Sequence, residues 1–153
     1  MMGRTHMAFG FLTGLVFYPI LGQNWWVFVP LTTFAALLPD IDHENSKINR
    51  MLPITRWLPK VFKHRGFFHS IFPPLLLLLI FHQLQLDIIG IPLAVGYLSH
   101  LFSDCLTLMG INLLHPISTL RIQGFIRTDG IMEYITMGVV GCLSILVILK
   151  QFF

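Results

Sequence analysis

Charge is scarce in this sequence. Of 153 residues, 10 are Lys or Arg and 7 are Asp or Glu, so charged residues make up 11%, against roughly 25% in an ordinary soluble domain. Hydrophobic residues make up 55% and the mean hydropathy is +0.76. A soluble chain of this length lacks the polar residues to cover its surface, so lipid must cover part of it. Cysteine is nearly absent. Cys105 and Cys142 both lie in apolar stretches, where they read as small hydrophobes with no disulfide required. There are no repeats, low-complexity tracts or interdomain linkers, which leaves one domain over residues 1–153. No small-x-small site closes the first apolar run, so it reads as a retained helix and not a cleaved signal. No Gly-x-Ser-x-Gly elbow is present, and neither cysteine sits among polar motifs, which argues against a serine or cysteine nucleophile. The net charge of +3 and the pI near 9.1 come without aromatic interleaving, so a nucleic-acid partner is not expected.

Five apolar stretches remain: His6–Gly22, Trp25–Leu38, Ser70–Leu86, Ile88–Gly110 and Ile131–Phe153. Since a straight span needs about 20 residues, they predict an all-α integral membrane bundle of about five hydrophobic helices. The second and third stretches are short. Gly22-Gln23-Asn24 marks a turn, Pro39 ends the second helix, Ser70 is the expected N-cap of the third, and Asp129-Gly130 opens the last. Basic residues set the orientation. Arg4, the 40–69 loop (Lys47, Arg50, Arg56, Lys60, Lys63, Arg65), Arg121 and Arg127 share one side, and the turns near Gln23 and Asp87 carry none. The positive-inside rule then places the N-terminus in the cytoplasm and the C-terminus outside, in a multi-pass inner (plasma) membrane protein.

On this topology His6, Asp40, Asp42, His64, His69, His100, Asp104 and Glu133 all fall at the cytoplasmic end. His100 and Asp104 are four apart and share a helix face, continued by Thr107. His64 and His69 are five apart and do not, which fits a loop bent at Gly66. Each group also has a plainer reading: a His–Asp bond between helices, a solvated cap, a charge at a helix N-terminus. Together they make eight candidate ligands, more than a structural zinc site uses. A mixed His/Asp/Glu set suits one to three divalent ions, Zn²⁺ foremost, that activate water for hydrolysis. Arg65 and Asp42 are the candidate catalytic residues, Arg65 as the group that would hold a phosphate. Ser70 and Thr107 are candidates to orient ligands. His82 and His115 read as structural. The competing readings are a proton or divalent-metal transporter or channel, and a non-catalytic scaffold holding a structural metal. Oligomeric state is not readable.

In order, Thr5-His6 with Gly10, Pro39-Asp40-Ile41-Asp42-His43, His64-Arg65 through His69-Ser70, Ser99-His100 through Asp104, Pro116 with Arg121, and Glu133-Tyr134 resemble the YdjM-like family of inner-membrane proteins. Metal-dependent hydrolysis is ascribed to that family. The set is also distantly similar to the zinc-dependent phospholipase C and P1 nuclease group. There an Asp and a His precede a His-x-x-x-Asp pair and a Glu closes the set. The resemblance implies phosphoester hydrolysis on a membrane lipid or lipid-linked substrate. Two departures stand out: His115 is the one further histidine in the later half, and Phe68 precedes His69 where a small hydroxylated residue is usual.

Overall fold

The computed structural model describes residues 1–44, 46–51, 55 and 66–152. Among them the chain is all-helical, with two isolated β-bridges, Thr107 to Ile126 and Ile111 to Ile122, in the loop before the last helix. The long helices are α1 (Gly3–Ile20), α2 (Trp25–Ala35), α4 (Phe72–Gln83), α5 (Asp87–Cys105) and α6 (Ile131–Phe152). A short α3 (Lys47–Met51) and 3₁₀ turns at Leu38–Asp42 and Phe67–His69 lie between α2 and α4.

Each apolar stretch forms a helix, but fewer of them are membrane-length than the sequence suggested. Among the described residues only Asp87–Cys105 and Ile131–Gln151 are long and apolar enough to cross a membrane. The expectation of about five spans is corrected to two candidate spans. α2 has 11 residues and α4 has 12, because apolar residues at their ends were spent on turns. Ala36 and Leu37 lead into the 3₁₀ turn that contains Pro39, and Leu84–Leu86 form the turn into α5. Ser70 is not the N-cap of α4 either. Its hydroxyl donates to Phe67 O at 2.7 Å, closing the 3₁₀ turn, while α4 begins at Phe72 with its prolines in the first turn, where a missing N–H costs little.

The two turns at the far end are built alike. α1 ends with Gly22 at φ +63°, Gln23 N donating to Tyr18 O and Gly22 N to Pro19 O. α4 ends with Gln85 at φ +56°, Leu86 N donating to Phe81 O and Gln85 N to His82 O. Both are Schellman closures, which satisfy the last carbonyls of a helix with a left-handed residue. Gln23 Nε2 donates to Asp87 O at 3.5 Å, so these turns sit side by side.

α2 packs against α1 and α5, and α1 also packs directly against α5 and α6. Glycines allow this close approach. A Cβ at Gly10 would meet Ala36 Cβ at 2.7 Å, and one at Gly96 would collide with the Thr32 carbonyl and meet Ala35 Cβ at 2.8 Å. Small residues at such crossings let helix backbones touch where water cannot drive association. α6 contacts little besides α1 and exposes Ile135, Val139, Leu143, Ile145, Leu146 and Leu149. That surface is suited to hydrocarbon.

Candidate metal centre

At the end opposite those turns, polar side chains are buried. His6, His69, His100 and Glu133 have no exposed surface, and Asp104 and Asp42 are nearly as enclosed. α1 supplies His6 from its first turns. The 3₁₀ turn after α2 supplies Asp40 and Asp42, the turn before α4 supplies His69, and the last turns of α5 supply His100 and Asp104. The Tyr97 hydroxyl donates to Phe68 O at 2.6 Å, which ties α5 to the turn carrying His69.

His100 defines the centre. Its Nδ1–H donates to Ala36 O at 2.8 Å, which fixes the tautomer and leaves Nε2 with a lone pair. That nitrogen is buried and has no hydrogen-bond partner. It lies 3.8 Å from Asp40 Oδ1 and 3.8 Å from Asp104 Oδ2. His69 Nε2 faces the same oxygens at 3.7 and 3.8 Å. The His100 lone pair facing carboxylates is repelled unless positive charge, a metal ion or the His69 proton, stands between them. Tetrahedral ligands at 2.0–2.2 Å from zinc lie roughly 3.3–3.6 Å apart, close to these separations. The donor set therefore fits a divalent metal, and a ring N–H anchored on a backbone carbonyl is the usual support of a metal-bound histidine.

A second position adjoins the first. Ser103 Oγ donates to His100 O at 2.8 Å and lies 2.8 Å from His6 Nδ1. His6 Nε2 lies 3.1 Å from Met1 O, a carbonyl to which it can donate, and 3.5 Å from Asp104 Oδ1. The Met1 nitrogen bonds the same Asp104 oxygen. His6 and His100 stack with centroids 3.7 Å apart. Two groups thus have the spacing of metal ligands, Asp40/His69/His100 and His6/His100/Asp104, with one Asp104 oxygen turned to each side.

The electrostatics demand positive charge. Burial pushes the His69 pKa down, but the Asp40, Asp42 and Asp104 carboxylates outweigh it and hold the pKa at about 9. Burial pushes Asp40 up, and His100, His69 and His6 more than reverse this, leaving it well below the usual carboxylate range. A metal at this place would displace the His69 proton.

The centre opens into a cleft of about 650 Å³. Asp40 and Asp104 line it together with Arg4, Lys47 and Arg50. Arg4 donates to the Tyr134 hydroxyl at 2.7 Å and lies over that ring at 4.9 Å.

The sequence profile of the YdjM inner membrane protein family matches residues 1–151. The chain belongs to this family. Among curated relatives, inner membrane protein YdjM of Escherichia coli (strain K12) is 39% identical over 106 residues, covering 64% of this chain and 54% of that protein. The Shigella flexneri protein of the same name matches equally. Uncharacterized protein YvsG of Bacillus subtilis (strain 168) is 35% identical over 125 residues, 80% of this chain and 78% of that one. The chain spans about half the length of the two YdjM proteins. No solved structure matches.

For a YdjM-family chain, then, the described structure brings together His6, Asp40, His69, His100 and Asp104. Asp42 stands behind them, its Oδ2 3.3 Å from His69 Nδ1, where it orients the ring. Glu133 is in neither group. Its Oε1 accepts Met2 N at 2.6 Å and its Oε2 accepts Asp129 N at 2.7 Å, which fastens the start of α1 to the start of α6. His64 and Arg65 lie outside the described residues. Thr107 donates to Asp104 O at 2.8 Å and accepts Gly110 N, so it closes the end of α5. Ser70 is likewise committed to its own turn. Ser103 and the Ala36 carbonyl escaped the sequence reading. Ser103, beside Asp104 and three residues after His100, had a usable signal in that spacing, whereas a backbone carbonyl has none.

Proposed function

We propose that this inner-membrane protein is a metal-dependent hydrolase that cleaves a phosphoester, on a membrane lipid or a lipid-linked molecule, from the cytoplasmic side. The observation that carries the reading is His100 Nε2, a buried lone pair with its ring locked, facing two carboxylates. His69, His100, Asp40 and Asp104 would hold one ion, with Zn²⁺ the best match to a mixed imidazole and carboxylate set. His6 with Asp104 offers a second place, within the one to three ions anticipated. A divalent ion, when bound, supplies the Lewis acidity that makes water a nucleophile near neutral pH.

The chain's own residues do the rest. Asp42 and the Ala36 carbonyl hold the two imidazoles in their donor orientation. Asp40, 18% exposed at its side chain, meets the cleft and can orient incoming water. Arg4, Lys47 and Arg50 line the same cleft and favour an anionic group. Arg65 remains a candidate for holding phosphate. Lys47, Arg50 and Arg4 at this end support a cytoplasmic site and an N-terminus on that side, with the C-terminus outside. The likeness to zinc phospholipases and P1 nuclease rests on the order of acidic and histidine residues. Between Asp87 and His100, α5 carries no acidic or basic residue, which speaks against an ion pathway along it.

The test is metal content of the purified protein, followed by turnover of bis(p-nitrophenyl) phosphate and of phospholipid in mixed micelles. Stoichiometric metal and metal-dependent turnover are expected. A protein that takes up no metal and stays inert on both substrates contradicts the reading. One that binds metal and loses only thermal stability in the His69→Ala variant, with no turnover to lose, is a scaffold.

A further inference from the structure

We infer that the groove between α1 and α2 holds one hydrocarbon chain of an anionic phospholipid whose phosphate lies in the cationic cleft. This deepens the proposed hydrolase and rests on it for the meaning of the cleft. The groove has a volume of about 380 Å³ and is walled by Met7, Phe11, Val29, Thr33, Leu37 and Met51, among others. Its one hydroxyl, Thr33 Oγ1, is turned back onto Val29 O at 2.7 Å, so the wall offers carbon.

Groove and cleft are lined by different residues of the same two helices, α1 and α3. Gly3 lines the cleft, Met7 and Phe11 line the groove, and the three are spaced four apart on α1, one continuous stripe. From Gly3 to Phe11 that stripe runs roughly 12 Å at about 1.5 Å per residue, enough for the upper half of an acyl chain. α3 forms the lip, with Lys47 and Arg50 on the cleft side and Met51 on the groove side. Lys47 Nζ lies 2.8 Å from Met7 Sδ, a cation held where the apolar channel meets the polar one. An uncharged headgroup gains nothing from that lysine. A free phosphate gains nothing from the groove.

The experiment uses the full chain in phosphatidylcholine nanodiscs doped with a diacyl phosphatidate bearing a photoreactive acyl chain. Labelling should concentrate on α1 and α2 residues of the groove. Thr33→Trp, which fills it, should cut that labelling at least tenfold, and the milder Thr33→Phe should cut it partway, both with bound metal retained. Lys47→Glu should reduce labelling by phosphatidate and spare that by a phosphatidylcholine probe. Labelling spread evenly over the lipid-facing helices, or indifferent to both Thr33 variants, overturns the inference, as does equal labelling by the two headgroups. Labelling needs no turnover. An inert protein labelled in the groove therefore counts against the hydrolase alone, and an active one labelled elsewhere counts against the groove alone.

Discussion

Both ends of this bundle carry a His–Asp pair, and the shorter contact is the one that matters less. At the far end His82 Nδ1 lies 3.1 Å from Asp87 Oδ1, with side chains 71% and 50% exposed. At the end that carries the candidate metal centre the His–Asp separations run from 3.3 to 3.8 Å, and the groups are buried. A solvated pair of this kind contributes about 0–1 kcal/mol. The buried set cannot relax into water, so its carboxylates need positive charge beside them, which the His69 proton supplies and a metal ion could replace. Separations of 3.7 to 3.8 Å, repeated among His69, His100, Asp40 and Asp104, leave the room an ion would need.

That contrast can be broken by substitution. The largest effect is expected for His100→Ala or Asp104→Asn. Either should lower metal affinity at least 100-fold, beyond the roughly 10–100-fold that outer partners of a metal site cost, read by metal analysis after dialysis. Asp42→Asn should fall inside that lower range, with stoichiometry recovered as metal is raised, because Asp42 orients His69 and leaves the donors in place. Gly96→Ala should cost about 1–3 kcal/mol in unfolding by overpacking the α2–α5 crossing, and should weaken metal binding by moving Ala36 O away from His100. His82→Ala should leave both metal content and the unfolding midpoint where they were. A loss of metal in His82→Ala equal to that in His100→Ala would erase the distinction between the two ends.

The same contrast marks what could be read from the sequence. His100 and Asp104 were legible because a spacing of four inside an apolar helix leaves little else to conclude, and His6, Asp40 and His69 because alternating helices return them to one end. Hydropathy found the five helices but overcounted the spans. It cannot tell an apolar helix residue from an apolar turn residue such as Leu37, Leu38 or Leu86. Glu133 was drawn into the ligand set by its position at the right end. Its actual partners, the N–H groups of Met2 and Asp129, are backbone atoms that leave no trace in residue identity. The same limit hid Ala36, whose carbonyl sets the His100 tautomer. The α1–α2 groove was illegible because Gly3, Met7 and Phe11 acquire their meaning only opposite Val29, Thr33 and Leu37.

The most direct measurement is X-ray absorption at the zinc edge of the purified protein, wild type beside His100→Ala. The expected spectrum has a nitrogen and oxygen shell near 2.0–2.1 Å with outer scattering from at least two imidazoles, and the signal is lost in the variant. A sulfur shell, or zinc that stays bound with the same spectrum when His100 is gone, would contradict the claim that these histidines and carboxylates form one metal centre.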